Sequence, residues 1–535
     1  MGQDPARARG RRPAGRHAAG THAARRTRGQ RLRRTLLVSL VVLLIVIVGG
    51  AGYVYYLTHD LNRTNVGGLS NSLTTGKEAG TENILMAGST SRCALKVQNA
   101  AYGLCSQGVN GVNSDVIMIL HVDPAHHRLA LLSIPRDLFI PNARSDGPNK
   151  VDAALYQGMS QLVAAIEEDF GIPIQHAVSL NFDQFANVVD ALNGINMSFP
   201  MSVFDQESGL NVRAAACVHL NGTQALEVVR ARHLQYDAPG TASADAFYWP
   251  QEGLSDLARI RRDHEFLRVL ASAAATHGLG NPISDLDLIN SVKGDVTFDQ
   301  SWSVRDMVSL VLDFHSTNIN SVPQLTLPVA LVTDPNGGSS GDLIYQGGNY
   351  NQVEFPSQVQ DEAAIDGVLG IGPNIDPMTG DPLPAASAVS VSVVNGSGAT
   401  NQATATSSAL AALGFNMVGL GDAPATGDIA ETVVYYGSRS PAVEAAAQKV
   451  ARSMSGSVIL AFDPSQVTNG AEVTVLTGTQ FAVNPPASAS VTTTTTIPAS
   501  SAIAAPSAPS SNLQPWDPRA CAPGATPTAP VPNET

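Results

Sequence analysis

The sequence predicts an α/β layer sandwich followed by a second, smaller α/β module. Three observations carry that reading. Short apolar strand patterns alternate with stretches of helical spacing from Asn83 to Ala273, the order expected of a layered α/β fold. A Pro- and Asp-rich stretch, 372–386, interrupts the alternation, which resumes at Ala388. A chain of 535 residues with 44% hydrophobic content is long enough for two or three domains with cores of their own.

The chain opens on a basic arm. Residues 1–34 hold eleven arginines against the single Asp4, a net +10, so the remainder carries −23 of the overall −13. An acidic body argues against nucleic acid as its partner, because such binding leaves a basic footprint on the domain itself. After the arm, within residues 35–57, Leu36–Leu57 is an uncharged run of 22 residues. As a helix it would reach about 33 Å, enough for one membrane span. It exceeds the length of a signal-peptide apolar core, which favours an uncleaved anchor over a cleaved leader. Tyr53, Tyr55 and Tyr56 fall at its far end, where aromatic rings favour the interface, and the preceding arginines put the N-terminus in the cytoplasm. The expected location is the plasma membrane, single-pass, with the main body outside. Cys93, Cys105, Cys217 and Cys521 then lie where disulfides form. Cys93 and Cys105 are near enough to close a short loop, but four cysteines allow three pairings and spacing does not choose among them.

Residues 58–82, rich in Gly, Ser, Thr and Asn, read as a stalk. The main domain is expected over 83–371. Ile84–Ala87, Val116–Val122 and Arg128–Ile134 read as strands, the last two joined by a turn at Asp123–His127. Leu162–Phe170 has helical spacing, Ala177–Leu180 is strand-like, and Phe185–Leu192 and Thr223–Val229 are helical. A longer amphipathic helix spans Leu254–Ala273. Between the last two helices, residues 233–253 form a long loop, a lid or a surface insertion. After the linker, the module over 387–483 shows strand Ala388–Val394, helix Gln402–Leu413, strands near Met417 and Val433, helix Pro441–Ser453, and strands near Val458 and Val473. Residues 484–535, mostly Ala, Ser, Thr and Pro, predict a disordered tail.

The most informative stretch is Leu131–Asp137 (LLSIPRD): a strand pattern meets a proline that cannot continue a sheet and presents Arg136 and Asp137 at the strand's end. Ligands bind at strand ends in α/β sheets. Further arginines recur as Arg230-x-Arg232 and Arg259-x-x-Arg262. A lone arginine is as often a solvated ion pair as a ligand; a gathering of them points to an anion. Guanidinium forks bind phosphate oxygens bidentately, with geometry lysine does not copy.

Several ordered motifs resemble the LytR-CpsA-Psr family: Asn83-Ile84-Leu85-x-x-Gly88-Ser89, Ser114-Asp115, Leu131–Asp137, Lys150-Val151-Asp152-x-Ala154, Asn181-Phe182, Leu220-x-Gly222-x-x-Ala225-Leu226, Arg230-x-Arg232 and Asp256-x-x-Arg259-x-x-Arg262. Residues 387–483 are similar to the LytR C-terminal domain appended to actinobacterial members. The resemblance implies a three-layer α/β/α sandwich with a mixed central sheet. It also implies a phosphotransferase that moves a glycopolymer from an undecaprenyl- or decaprenyl-pyrophosphate donor onto peptidoglycan as a phosphodiester, with Mg²⁺ or Mn²⁺ as cofactor. An actinobacterial wall suggests arabinogalactan as the polymer, and the expected partners are the lipid-linked donor, peptidoglycan and the membrane, without nucleic acid.

By that resemblance Asp115, Arg136, Arg230 and Arg232 carry catalysis, and Arg92, Arg136, Lys150, Arg230, Arg232, Arg259 and Arg262 hold the pyrophosphate. The expected metal set is Asp115, Thr90 and Asp263. Two of these depart from the family: Thr90 stands where a second carboxylate is usual, and Asp263 where Gln is usual, which makes Asp263 a candidate for the missing charge. Asp152 replaces a customary Asn, and Asp137 and Asp256 are candidates to orient arginines. Phe170, Phe182, Phe185 and Phe266 are candidate lining for a polyprenyl slot. The same residues also accommodate a non-catalytic lipid-pyrophosphate scaffold, and an envelope-linked transcriptional attenuator is a further alternative.

Overall fold

The computed structural model describes residues 61–71, 80–93, 95, 104–108, 111–213, 215–253, 255–278, 296–314, 317–330, 343–345, 348–424, 431–485 and 513–528. The basic arm, the expected membrane span, residues 58–60 and 72–79 of the expected stalk, and residues 486–512 and 529–535 of the expected tail lie outside them. Among the described residues no helix is long and apolar enough to cross a membrane.

A seven-stranded sheet forms the centre of the main domain. Its strands are β1 (Asn62–Thr64), β2 (Glu82–Ser89), β3 (Ser114–Asp123), β4 (Arg128–Ser133), β5 (His176–Leu180), β6 (Thr297–Asp299) and β7 (Gln324–Thr326), in the order β1-β6-β5-β2-β3-β4-β7. β2, β3 and β4 pair antiparallel, β2 pairs parallel with β5, and β4 parallel with β7, so the sheet is mixed. The stalk expectation is corrected at β1: Asn62–Thr64 pairs with β6 at the sheet edge, and Val66 is buried.

Strand alternation sends side chains to opposite faces, and both faces are covered. Leu85, Ala87, Ile117, Ile119 and Leu132 pack with Leu162, Val163 and Ile166 of α1 (Met159–Phe170). Ile84 and Val122 pack instead with Trp302 and Phe314. This is the three-layer sandwich expected. Gly171, with φ of 64°, ends α1 in the left-handed conformation that favours glycine.

The site-bearing helices are α2 (Phe182–Ala191), α3 (Gly222–Arg230) and α4 (Ser255–Gly278). α2 and α3 both start on capping boxes, Asn181 with Gln184 and Asn221 with Gln224, which satisfy orphan backbone donors at each N-terminus. Gly222 opens α3 where a Cβ would stand 2.6 Å from the Ala186 carbonyl carbon. Only glycine permits that approach of α3 to α2, and α3 is the helix that delivers Arg230.

The second module holds β8 (Ser390–Asn395), β9 (Asn416–Asp422), β10 (Thr432–Tyr436), β11 (Val458–Phe462) and β12 (Val473–Thr477) in the order β9-β8-β12-β10-β11. Val434, Tyr436, Val458 and Leu460 face its own core, while Val433, Ile459 and Ala461 join the core beneath α1. The two domains therefore share apolar surface. The disordered-tail expectation is corrected for residues 513–528, which pack on the main domain. Arg519–Ala520 pairs antiparallel with Ile195–Phe199, and Cys521 forms a disulfide with Cys217. Cys93 pairs with Cys105.

Candidate functional site

A cavity of about 290 Å³ opens at the end of the central strands, lined by Thr90, Arg92, Asn113, Asp115, Arg136, Glu207, Arg230, Arg232 and Arg259. Five guanidinium groups thus meet two carboxylates. The local sequence explains the convergence. β2 ends at Ser89, so Thr90 and Arg92 follow; β3 starts at Ser114-Asp115; β4 ends at Ser133, and Ile134-Pro135 turns the chain to Arg136. Arg230 ends α3, where a cation also complements the helix dipole, and Arg259 lies near the start of α4.

Carboxylates outside the lining hold these arginines. Asp256 Oδ1 lies 2.8 Å from Arg259 Nη2, 3.6 Å from Arg232 Nε and 3.8 Å from Arg136 Nε. Asp137 accepts from Lys150 Nζ at 2.7 Å through Oδ1 and from Arg232 Nη2 at 3.1 Å through Oδ2. Burial pushes the Asp137 carboxyl upward, but Arg136, Lys150 and Arg232 together hold it below the usual carboxylate range. Burial, reinforced by the fields of Arg232 and Arg259, lowers the Arg136 guanidinium, which donates to Asp115 Oδ1. Arg259 Nη2 also donates to the Asp115 carbonyl at 2.6 Å. Arg92 and Arg230 stand over the same ring, Phe182, at 5.2 and 4.9 Å. A crowd of like charges held apart in this way is built to receive an anion with several oxygens.

A second cavity of about 360 Å³ shares Asn113 and Arg136 with the first and is further lined by Asp137, Asn149, Lys150, Asp152, Ala153, Asn349, Tyr350 and Asn351. Asp152 is buried, its Oδ2 accepts from Asn113 Nδ2 at 3.1 Å, and burial raises it to about 6 against the opposing pull of Arg136.

Residues 57–359 match the LytR_cpsA_psr family model, more than half of the chain. The chain belongs to the LytR-CpsA-Psr family. Residues 388–481 match a second model, described as LytR cell envelope-related transcriptional attenuator. The chain is 31% identical over 264 residues to the probable cell wall biosynthesis protein LcpB of Corynebacterium glutamicum, an alignment covering 49% of this chain and 57% of that protein. It is 25% identical over 452 residues to the cell wall biosynthesis protein LcpA of the same organism, covering 78% of this chain and 80% of LcpA. It is 22% identical over 265 residues to a Bacillus cereus protein named polyisoprenyl-teichoic acid–peptidoglycan teichoic acid transferase TagU, covering 49% of this chain and 79% of that one.

Of the residues the LytR-CpsA-Psr resemblance singled out, Thr90, Arg92, Asp115, Arg136, Arg230, Arg232 and Arg259 share the first cavity, and Lys150 lines the second. Arg262 does not line either. It is fully buried, held behind the cavity by its partners: it donates through Nη1 to Glu252 and through Nη2 to the Ala231 carbonyl. Asp263 is likewise absent from both linings. It lies buried, one helical turn from Arg259 with Oδ2 3.9 Å from Nε, and burial raises it to about 7. Both positions correct the expectation that these residues face the ligand. Thr90 does line the cavity, but its Oγ1 accepts from Asn113 N at 3.0 Å while its own N–H donates to the Asn113 carbonyl, so it also joins two loops.

Among the described residues no group of three or more His, Cys, Asp or Glu is arranged to hold a metal ion. The candidate lipid-slot residues Phe170, Phe182 and Phe266 are core, and Phe185 packs 5.4 Å from Phe266. Sequence reasoning missed Glu207 and Asn113 as lining. Asn113 adjoins the Ser114-Asp115 motif, which is a usable signal. Glu207 comes from a turn between Val203–Asp205 and Leu210–Val212, where nothing local marks it.

Proposed function

We propose that the protein is a membrane-anchored transferase that moves a glycopolymer from a polyprenyl-pyrophosphate donor to a hydroxyl of peptidoglycan. The observation that carries this reading is the cavity of five guanidiniums backed by Asp137 and Asp256. In phosphoryl transfer, positioning and charge stabilisation supply most of the acceleration. Arg136, Arg230, Arg232 and Arg259 would bind the non-bridging oxygens and the charge that grows on the departing polyprenyl phosphate. The uncharged run Leu36–Leu57 would hold the chain at the membrane that carries the lipid donor.

The second cavity would take the acceptor sugar. Its carboxamides, Asn113, Asn149, Asn349 and Asn351, offer both donors and acceptors to hydroxyl and acetamido groups, and Tyr350 offers a ring. The acceptor oxygen would form its bond to phosphorus as the bond to polyprenyl phosphate breaks, and its proton would pass to the Asp152 carboxylate. Asp115, with Thr90 as a neutral oxygen, would hold a divalent cation, since Mg²⁺ is usually held by one or two carboxylates. When bound it would neutralise phosphate charge.

One observation favours a binding-only scaffold as the second reading: Thr90, whose Oγ1 accepts from Asn113 N, puts a neutral group rather than a carboxylate at the cavity. Incubation of the full-length protein with a polyprenyl-pyrophosphate-linked saccharide and peptidoglycan fragments separates the two. Release of polyprenyl phosphate with a new phosphodiester, lost in Arg136→Ala and Arg232→Ala, supports transfer. Tight donor binding without release supports the scaffold, and no donor binding refutes both.

A further inference from the structure

We infer that residues 513–528 form a strap that sets the geometry of the arginine cavity, with Asp517 as a positioning residue that acts on Arg230 and Arg232 through Arg262. The inference rests on the proposed pyrophosphate-binding role of that cavity.

The strap is tied down along its length. The indole of Trp516 stacks on Tyr236 with ring centroids 4.0 Å apart and planes 7° apart, and its Nε1 donates to Glu252 Oε2 at 3.2 Å. Ala520 N donates to Glu265 Oε1 on α4 at 3.1 Å. Cys521 is bonded to Cys217, and Thr528 N donates to the Cys217 carbonyl at 2.9 Å.

At its centre Asp517, fully buried, accepts from Arg261 Nε at 2.6 Å and Nη2 at 3.2 Å, and its Oδ1 lies 3.7 Å from Arg262 Nη1. Two adjacent guanidiniums, Arg261 and Arg262, therefore share two carboxylates, Glu252 and Asp517. Glu252 comes from the loop beside α4. Asp517 arrives from the far end of the chain.

The balance matters because of what Arg262 touches. Its Nη2 donates to the Ala231 carbonyl, and Ala231 is the residue between Arg230 and Arg232. Arg262 thereby pins the peptide that carries two cavity arginines to α4, the helix that carries a third, Arg259. A fully buried guanidinium stays in place only while its charge is matched. With Asp517 neutral, Glu252 alone would face two cations, and Arg262 would be pulled off the Ala231 carbonyl or toward water. The spacing of Arg230 and Arg232 against Arg259 would then be lost without any cavity residue changing.

The test uses the full-length protein with Asp517→Asn and Asp517→Glu, at temperatures where each is fully folded. Two quantities are read: affinity for geranyl pyrophosphate, and backbone hydrogen exchange over residues 228–236. The expected result for Asp517→Asn is affinity weaker by about tenfold, as for misdirected charge-assisted contacts, together with faster exchange in that segment. Asp517→Glu, which restores the charge, recovers most of both. A purely structural role would lower the melting temperature and leave the affinity of the folded protein intact, and that outcome overturns the proposal. If Asp517→Asn does not fold, Cys521→Ser keeps every charge but cuts the covalent tie; unchanged exchange and affinity in that variant also overturn it. Should the wild type fail to bind geranyl pyrophosphate while Asp517→Asn still speeds exchange at 228–236, the positioning stands and the ligand assignment falls.

Discussion

Asp256 Oδ1 lies 2.8 Å from Arg259 Nη2, one helical turn along α4, on a carboxylate that is 4% exposed. The same oxygen is within 4 Å of Arg136 and Arg232, so one buried charge holds three guanidiniums at separate angles. Asp256→Asn keeps the shape and removes the charge. Removing one partner of a buried ion pair costs about 3–5 kcal/mol. Urea unfolding of the variant should show a loss of that order, and titration with geranyl pyrophosphate should show weaker binding. Unchanged affinity would mean that the arginines are placed by packing alone.

Phe182 is the platform for Arg92 and Arg230. Phe182→Leu preserves apolar volume in the cluster with Leu95 and Leu226 but removes the ring face. A cation–π contact contributes about 0.5–2 kcal/mol. Pyrophosphate affinity should fall between a few-fold and about thirtyfold, with little change in overall stability. A stability loss with full affinity retained would argue that the ring only fills space.

Asp152, raised to about 6 by burial against the pull of Arg136, gives a pH signature with a definite sign. Between about pH 4 and pH 6 the folded protein keeps a proton that the unfolded chain has released, so stability falls as pH rises through that window, by up to about 3 kcal/mol. Asp152→Asn should flatten this part of the stability curve. In transfer assays the wild type should gain activity as pH rises through about 6, and Asp152→Asn should remain slow at every pH while binding donor normally. Full transfer by the Asn variant would remove Asp152 from the chemistry.

Asn142 joins the two domains through Phe462 of β11. Its Nδ2 donates to the Phe462 carbonyl at 3.0 Å, and Phe462 N donates to its Oδ1 at 3.1 Å. Asn142→Ala leaves both backbone groups without these partners, at about 1–3 kcal/mol for each group left unsatisfied. The expected readout is earlier unfolding of the second module in calorimetry, resolved as a separate transition. A single transition at the wild-type temperature would show that the shared apolar surface alone holds the domains.

Much of the fold was legible because local rules and tertiary packing agree. The apolar run Ile84–Ala87 marked a strand of the central sheet. Helical spacing found α1 to α4 within a few residues, and the motif order placed Arg136, Arg230, Arg232 and Arg259 together. What failed was telling apart two arginines one helical turn apart. Arg259 and Arg262 are nearly the same signal in sequence, yet one lines the cavity and the other is sealed behind it, because Glu252, Asp517 and the Ala231 carbonyl, all supplied from outside α4, take the Arg262 guanidinium. Composition failed too at residues 513–528: a tract poor in large apolar residues packs because Trp516, Asp517 and Cys521 each find a partner supplied by another part of the chain.

The sequence by itself determined the alternation of strands and helices, the kinds of charged residue available and the family to which they belong. Those properties depend on neighbours a few residues apart. Only the tertiary structure decided which arginines face the cavity, that Asp137 and Asp256 hold them, that Asp152 lines a second cavity sharing Arg136 with the first, and that Asp517 answers the charge of Arg261 and Arg262. Each of these depends on Coulomb and hydrogen-bond contacts between atoms distant in the chain, whose strength is set by burial and by distances of a few ångströms that no spacing in the sequence encodes.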